Sequence, residues 1–96
     1  MNPALLVNDK DNVATVFAEN IKAGAVLSVM DKTGGARMIK AATDVPYGHK
    51  VAVCPIKSGE IIYKYGETIG RAVSDIEAGA HVHIHNLEST RGRGDL

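Results

Sequence analysis

One short pattern recurs along this chain: an apolar residue, two further positions, a glycine, and then a stretch in which apolar residues alternate with others. Its copies begin at Ile21, Val45, Ile56 and Ile76, carry Gly24, Gly48, Gly59 and Gly79 at the fourth position, and run on through Leu27, Val51, Ile62 and Val82. Glycine adopts positive φ without a steric penalty, so each copy reads as a tight turn that delivers the chain straight into a strand with two distinct faces. A repeated turn-strand unit leaves little room for anything but a mainly β domain of short strands. No segment carries a capped helical stripe, and the helix content expected is at most one turn near Val13–Ala18 or Ile76–Ala78.

The segments between the copies agree. Ala4–Val7 is a short apolar run closed by Asn8-Asp9-Lys10-Asp11-Asn12, whose Asn and Asp side chains favour a turn. Val13–Phe17 fits either a strand or a helical stripe, and the β-turn repeat tips it towards strand. Asp31-Lys32-Thr33-Gly34-Gly35 predicts a hairpin whose return strand begins near Arg37, and Tyr65-Gly66-Glu67-Thr68 predicts another turn. Gly70, inside the following strand, marks a bulge or a close backbone approach.

At 96 residues the chain is one domain with a single modest core. Its 11 basic and 11 acidic residues cancel, which argues against binding nucleic acid or an anionic membrane through overall charge. No apolar run reaches the roughly 20 residues of a membrane helix, and no signal-peptide core is seen. The single cysteine, Cys54, lies in an apolar run with no disulfide partner, and reads as a small core residue in a reducing, cytoplasmic protein. The domain is expected over residues 1–87. Residues 88–96, with Arg91 and Arg93 set between glycines and no apolar periodicity, are expected to form a flexible tail.

Chemistry concentrates in His81-Val82-His83-Ile84-His85-Asn86. In an extended strand His81, His83 and His85 share one face while Val82 and Ile84 share the other. Imidazoles titrate near neutrality and suit metal ligation, proton transfer or binding of an anionic substrate. Same-face neighbours stand about 7 Å apart along a strand, so two rings can meet on one ion, whereas His81 and His85 would be about 13 Å apart. On that geometry the chain supplies two converging ligands and is expected to bind a metal weakly or not at all by itself. His49 and Lys64 are further polar candidates, and Arg91 and Arg93 suit a carboxylate.

Taken together, Gly48-His49-Lys50-Val51-Ala52, Ile61-Ile62-Tyr63-Lys64-Tyr65-Gly66-Glu67-Thr68-Ile69-Gly70, the turn at Asp75–Gly79 and the His81–Asn86 block resemble the N-terminal SAF domain of the altronate and galactarate dehydratase family. The resemblance covers nearly the whole chain. It implies a β-clip fold, similar to antifreeze-like domains, and a role in metal-assisted removal of water from sugar acids. Family members usually carry a much longer catalytic region, so this chain resembles the small subunit of a two-component hydro-lyase completed by a separate large subunit.

On that resemblance His81, His83 and His85 are the catalytic candidates, and His49, Lys64, Arg91 and Arg93 the substrate-binding ones. The implied cofactor is divalent iron, manganese or magnesium, held mainly by the large subunit. A sulfolactate sulfo-lyase small subunit fits the same motifs, because both reactions abstract a proton beside a carboxylate and expel a β leaving group. A non-catalytic module that binds a sugar acid or a partner is the remaining alternative.

Overall fold

The computed structural model describes residues 2–83 and 85–89. Among the described residues nine short strands follow one another: β1 (Asn2–Leu6), β2 (Val13–Val16), β3 (Val26–Asp31), β4 (Ala36–Lys40), β5 (Lys50–Ala52), β6 (Ile61–Lys64), β7 (Glu67–Ala72), β8 (His81–Val82) and β9 (Leu87–Ser89). Six form one sheet in the order β4-β3-β1-β2-β5-β8, and three form a second in the order β6-β7-β9. All pairings are antiparallel except that of β1 with β3. Among the described residues there is no helix, so the segments at Val13–Ala18 and Ile76–Ala78 are strand and turn.

The repeated turns organise this architecture. Gly24, Gly48, Gly59 and Gly79 all sit at positive φ, between 80° and 94°. In each copy the residue after the glycine donates its N–H to the carbonyl three residues back, at Lys22, Pro46, Lys57 and Glu77. Glycine at the third position of such a turn is what a type II geometry demands. The glycine N–H groups are not spent locally: they donate to the carbonyls of Ala41, Val16, Ala72 and Ala52, so each turn is tied to a neighbouring segment. The copies then pair in twos, by β-bridges between Ile21 and Val45 and between Ile56 and Ile76. Asp44 and Asp75 occupy matching places, each accepting a hydrogen bond from the turn opposite, at Ala23 and Ser58 (both 2.9 Å).

Apolar burial follows the same division. One cluster gathers Leu6, Val16, Ile21, Leu27, Val29, Val45 and Val51, and the other gathers Val13, Ile56, Ile62, Ile76 and Val82, beside further small residues. Cys54 is only partly buried against the first cluster. The two sheets are joined by the polar loop after β1. Buried Asp11 accepts hydrogen bonds from Tyr65 N–H (2.8 Å) and Gly66 N–H (2.7 Å), and Asn12 exchanges hydrogen bonds with the backbone of Ile61 and Tyr63. Tyr65 and Gly66 both lie at positive φ, the requirement of the two-residue hairpin linking β6 to β7.

Gly70 faces a register shift between Ile62 and Tyr63, and a Cβ on it would lie 2.6 Å from the Glu88 carbonyl. Both features expected of a strand glycine are therefore present. Glu88 and Ser89 continue β9 along β7, two residues past residue 87, because Leu87 packs on the second cluster and Arg71 lies 3.7 Å from Glu88. Ile84 and residues 90–96, with Arg91 and Arg93, lie outside the described residues.

Gly79 is the most constrained of the turn glycines. Its N–H donates to Ala52, its carbonyl accepts from Ala42, and a Cβ there would collide with the Lys40 carbonyl, whereas a Cβ on Gly24 meets nothing within 4 Å. Replacing Gly24 by Ala therefore costs only the left-handed backbone conformation, about 1 kcal/mol. Gly79→Ala adds a backbone collision and is expected to cost about 3 kcal/mol or more. Urea denaturation of the two variants checks the contrast, and equal losses would contradict it.

Candidate active site: an imidazole cluster beside two lysines

His49 enters as the last residue of the second turn copy, held by its N–H to the Pro46 carbonyl and its own carbonyl to Val16 N–H. His81 opens β8, where Val51 lies opposite it and its N–H donates to Thr43 Oγ1 (3.0 Å). The two imidazoles meet directly, with His49 Nδ1 and His81 Nε2 2.8 Å apart, so one proton is shared by the pair.

An extended strand would have carried His83 and His85 away from this point. The strand instead ends at Val82, which corrects the expectation of a continuous histidine face. Asn86, 8% exposed, is the cause. Its side-chain oxygen accepts from His83 N–H (2.9 Å), its side-chain nitrogen donates to the His81 carbonyl (2.9 Å), and its own N–H donates to the His83 carbonyl (3.0 Å). An Asn side chain satisfying the backbone in this way competes successfully with strand pairing.

The resulting turn folds the rings together. His83 stacks on His49 with centroids 4.6 Å apart, and the His85 ring centroid lies 5.3 Å from that of His81 rather than across a strand's length. One nitrogen each from His49, His81 and His83 falls within 4.8 Å of the others. A third converging nitrogen thus comes from His49, 32 residues upstream of His81.

Burial first, then His49, His85, His83 and Lys50, push the His81 pKa down to about 4. Burial, His49, Lys50 and His85 lower that of His83. Half-buried Lys50 is itself lowered, by burial first and then by Lys64. Lys64 reaches over the Tyr65 ring, with Nζ 4.8 Å from its centroid. The structure therefore brings together the rings of His49, His81, His83 and His85, while Lys64 is placed against Tyr65 and not in contact with them. Lys50, Thr43 and Asn86 are participants that residue spacing alone did not single out; the signals available were a lysine inside an apolar strand and an Asn closing the histidine run.

A small all-β domain offering an imidazole cluster on a turn-built frame is the class defined so far. The match to known proteins is specific: residues 2–90 fit the family model of the altronate/galactarate dehydratase SAF domain. The chain belongs to that family. It is 41% identical over 66 residues to the (2R)-sulfolactate sulfo-lyase subunit alpha of Paracoccus pantotrophus, covering 69% of this chain and 98% of that one. It is 37% identical over 95 residues to the protein of the same name in Chromohalobacter salexigens, covering 95% of this chain and 99% of the relative. The altronate dehydratase of Escherichia coli is 43% identical over 79 residues, which are 82% of this chain and only 15% of that protein. The homologues are lyases, and the two matched over 98–99% of their own length are alpha subunits.

The depressed His81 pKa links the cluster to stability. Folded His81 gains a proton only near pH 4, whereas in the unfolded chain it does so near 6.5. Between these values the unfolded chain binds the extra proton, so stability falls as pH drops from about 6.5 towards 4 and the effect levels off below. His81 is partly solvated, and screening reduces the effect to roughly 1 kcal/mol. Urea denaturation at pH 7 and pH 4 should show His81→Gln gaining about that much on the wild type as pH falls. A pH-independent difference would contradict the assignment.

Proposed function

We propose that this chain is the small subunit of a cytoplasmic hydro-lyase acting on a sugar acid, and that its histidine cluster lines an active site completed by a separate large subunit. The observation that carries this reading is the convergence of four imidazoles at one point of a chain that spans 98–99% of lyase subunits but 15% of a longer dehydratase. The same coverage favours a second reading, the sulfo-lyase small subunit, in which the acid carries a sulfonate in place of the departing hydroxyl.

The donor set fits a divalent metal. His49, His81 and His83 would hold it, leaving further positions for the partner subunit or the substrate. Among iron, manganese and magnesium, imidazole donors favour iron, since the other two prefer oxygen. Bound there, such an ion supplies Lewis-acid polarisation of a substrate oxygen. A ring that stays uncharged to about pH 4 cannot neutralise a carboxylate, but neutral imidazole is the form that binds a metal. His85, beside His81, is the ring we assign to proton exchange with the departing group. Asn86 and Thr43 hold the His81 and His83 backbone in register.

Two measurements test this reading. Calorimetry of the isolated chain with Fe(II) under anaerobic conditions at pH 7 should give a dissociation constant near or below about 10 μM, weakened roughly tenfold or more by His81→Gln or His83→Gln. Wild-type binding no tighter than millimolar would remove this chain from the metal site. Mixing the chain with its large subunit should generate lyase activity on altronate, galactarate or sulfolactate that neither shows alone. An assembled pair inactive on every 2-hydroxy acid would overturn the enzyme reading.

A further inference from the structure

The outward face of the six-stranded sheet is covered at one end and bare at the other. The register sets Val13 of β2, Ala52 of β5 and Val82 of β8 on this face, and they are buried beneath Ile62 of β6 and Ala72 of β7. The β4-β3-β1 end of the same face has no layer over it among the described residues. There Leu5 stands opposite Met30 and Met38 opposite Ser28, while the alternate residues Leu6, Leu27 and Val29 point into the first apolar cluster. Leu5, Val26, Met30 and Met38 are between 38% and 57% exposed. Phe17, whose N–H donates to the Pro3 carbonyl, adds an exposed ring at the margin, and Tyr47 meets it edge-on with centroids 6.3 Å apart.

A sheet face turned to water ordinarily carries polar residues at these alternate positions. The second sheet obeys, with exposed Arg71 and Glu88 side by side at 3.7 Å. On the bare half of the first sheet, Lys40 at the edge is the one charged residue among the outward strand positions. An apolar patch poor in charge, with methionines that adapt to the shape they meet, has the composition of the centre of a protein interface.

The relatives indicate what covers it. In the longer dehydratase the matched domain is 15% of one chain, and the peptide link keeps it at high effective concentration beside the rest. A separate subunit has no such link, so its surface must hold the partner by itself. The imidazoles lie elsewhere, since His81 stands opposite Val51, which points into the first cluster. We propose that the bare half-face of β4, β3 and β1 is the docking surface for the large subunit, whose matching surface is apolar and poor in charge. Assembly and chemistry are thereby carried by different residues of this small domain. This docking role rests on the two-subunit reading above and not on the reaction the pair performs.

The test is titration of the large subunit with the chain, followed by sedimentation and by lyase activity. Met30→Glu and Met38→Glu each place a charge on the patch at an exposed position. Each should raise the dissociation constant roughly tenfold or more, while the rate at saturating chain stays within about twofold. Thr68→Glu, which adds the same charge at an exposed position of β7, should leave assembly unchanged. Met38→Thr, suited to a strand, should weaken assembly less but in the same direction, and serves if circular dichroism shows that a glutamate disturbs the fold. Undiminished assembly in the double variant of Met30→Glu and Met38→Glu, or an equal loss in Thr68→Glu, would overturn the proposal. So would a wild-type chain that dimerises alone and is made monomeric by Met38→Glu, since a second copy would then occupy the face. A pair that assembles as stated but acts on no hydroxy acid would instead strike at the lyase reading and leave the docking surface standing.

Discussion

The contact between Gly79 and the segment Lys40–Ala42 decides where the chemistry of this protein lies. At that point the fourth turn passes so close to the end of β4 that no side chain fits, and the hydrogen bonds of Gly79 reach Ala52 on one side and Ala42 on the other. The turn is thereby fixed against both the first half of the chain and β5. Two residues later the backbone emerges as β8 with His81 facing the ring of His49. A looser turn would leave β8 with only its short ladder to β5 and the imidazoles without a common point.

In the cluster built on that junction, partial burial, reinforced by the neighbouring imidazoles and Lys50, keeps His81 neutral through the physiological range. The hydrogen bonds of Asn86, Thr43 and Asp11 with backbone groups hold the surrounding loops.

Much of this frame was legible in the sequence because its signals are local. Positive φ at a turn glycine depends on a few neighbouring atoms, so Gly24, Gly48, Gly59 and Gly79 could be recognised in advance, as could the hairpins at Asp31–Gly35 and Tyr65-Gly66. The pairing of Ile21 with Val45 and of Ile56 with Ile76 could not, since bridges between distant segments leave no mark in either alone. The site was half legible for the same reason. The alternation of His81, His83 and His85 reads as an extended strand, and only the buried side chain of Asn86 reveals that the chain curls after Val82. His49 reaches the cluster through the pairing of β5 with β8, a long-range fact that residue spacing does not carry.

The most direct measurement of the central claim, a convergent imidazole cluster in which His81 is held neutral, is a pH titration of the four histidine side chains in the metal-free chain by nitrogen-15 NMR. His81 should remain neutral to about pH 4, and its resonances should respond when the adjoining His83 titrates. Four rings titrating independently near the ordinary value of about 6.5 would mean that they do not meet in solution, and the account would fail.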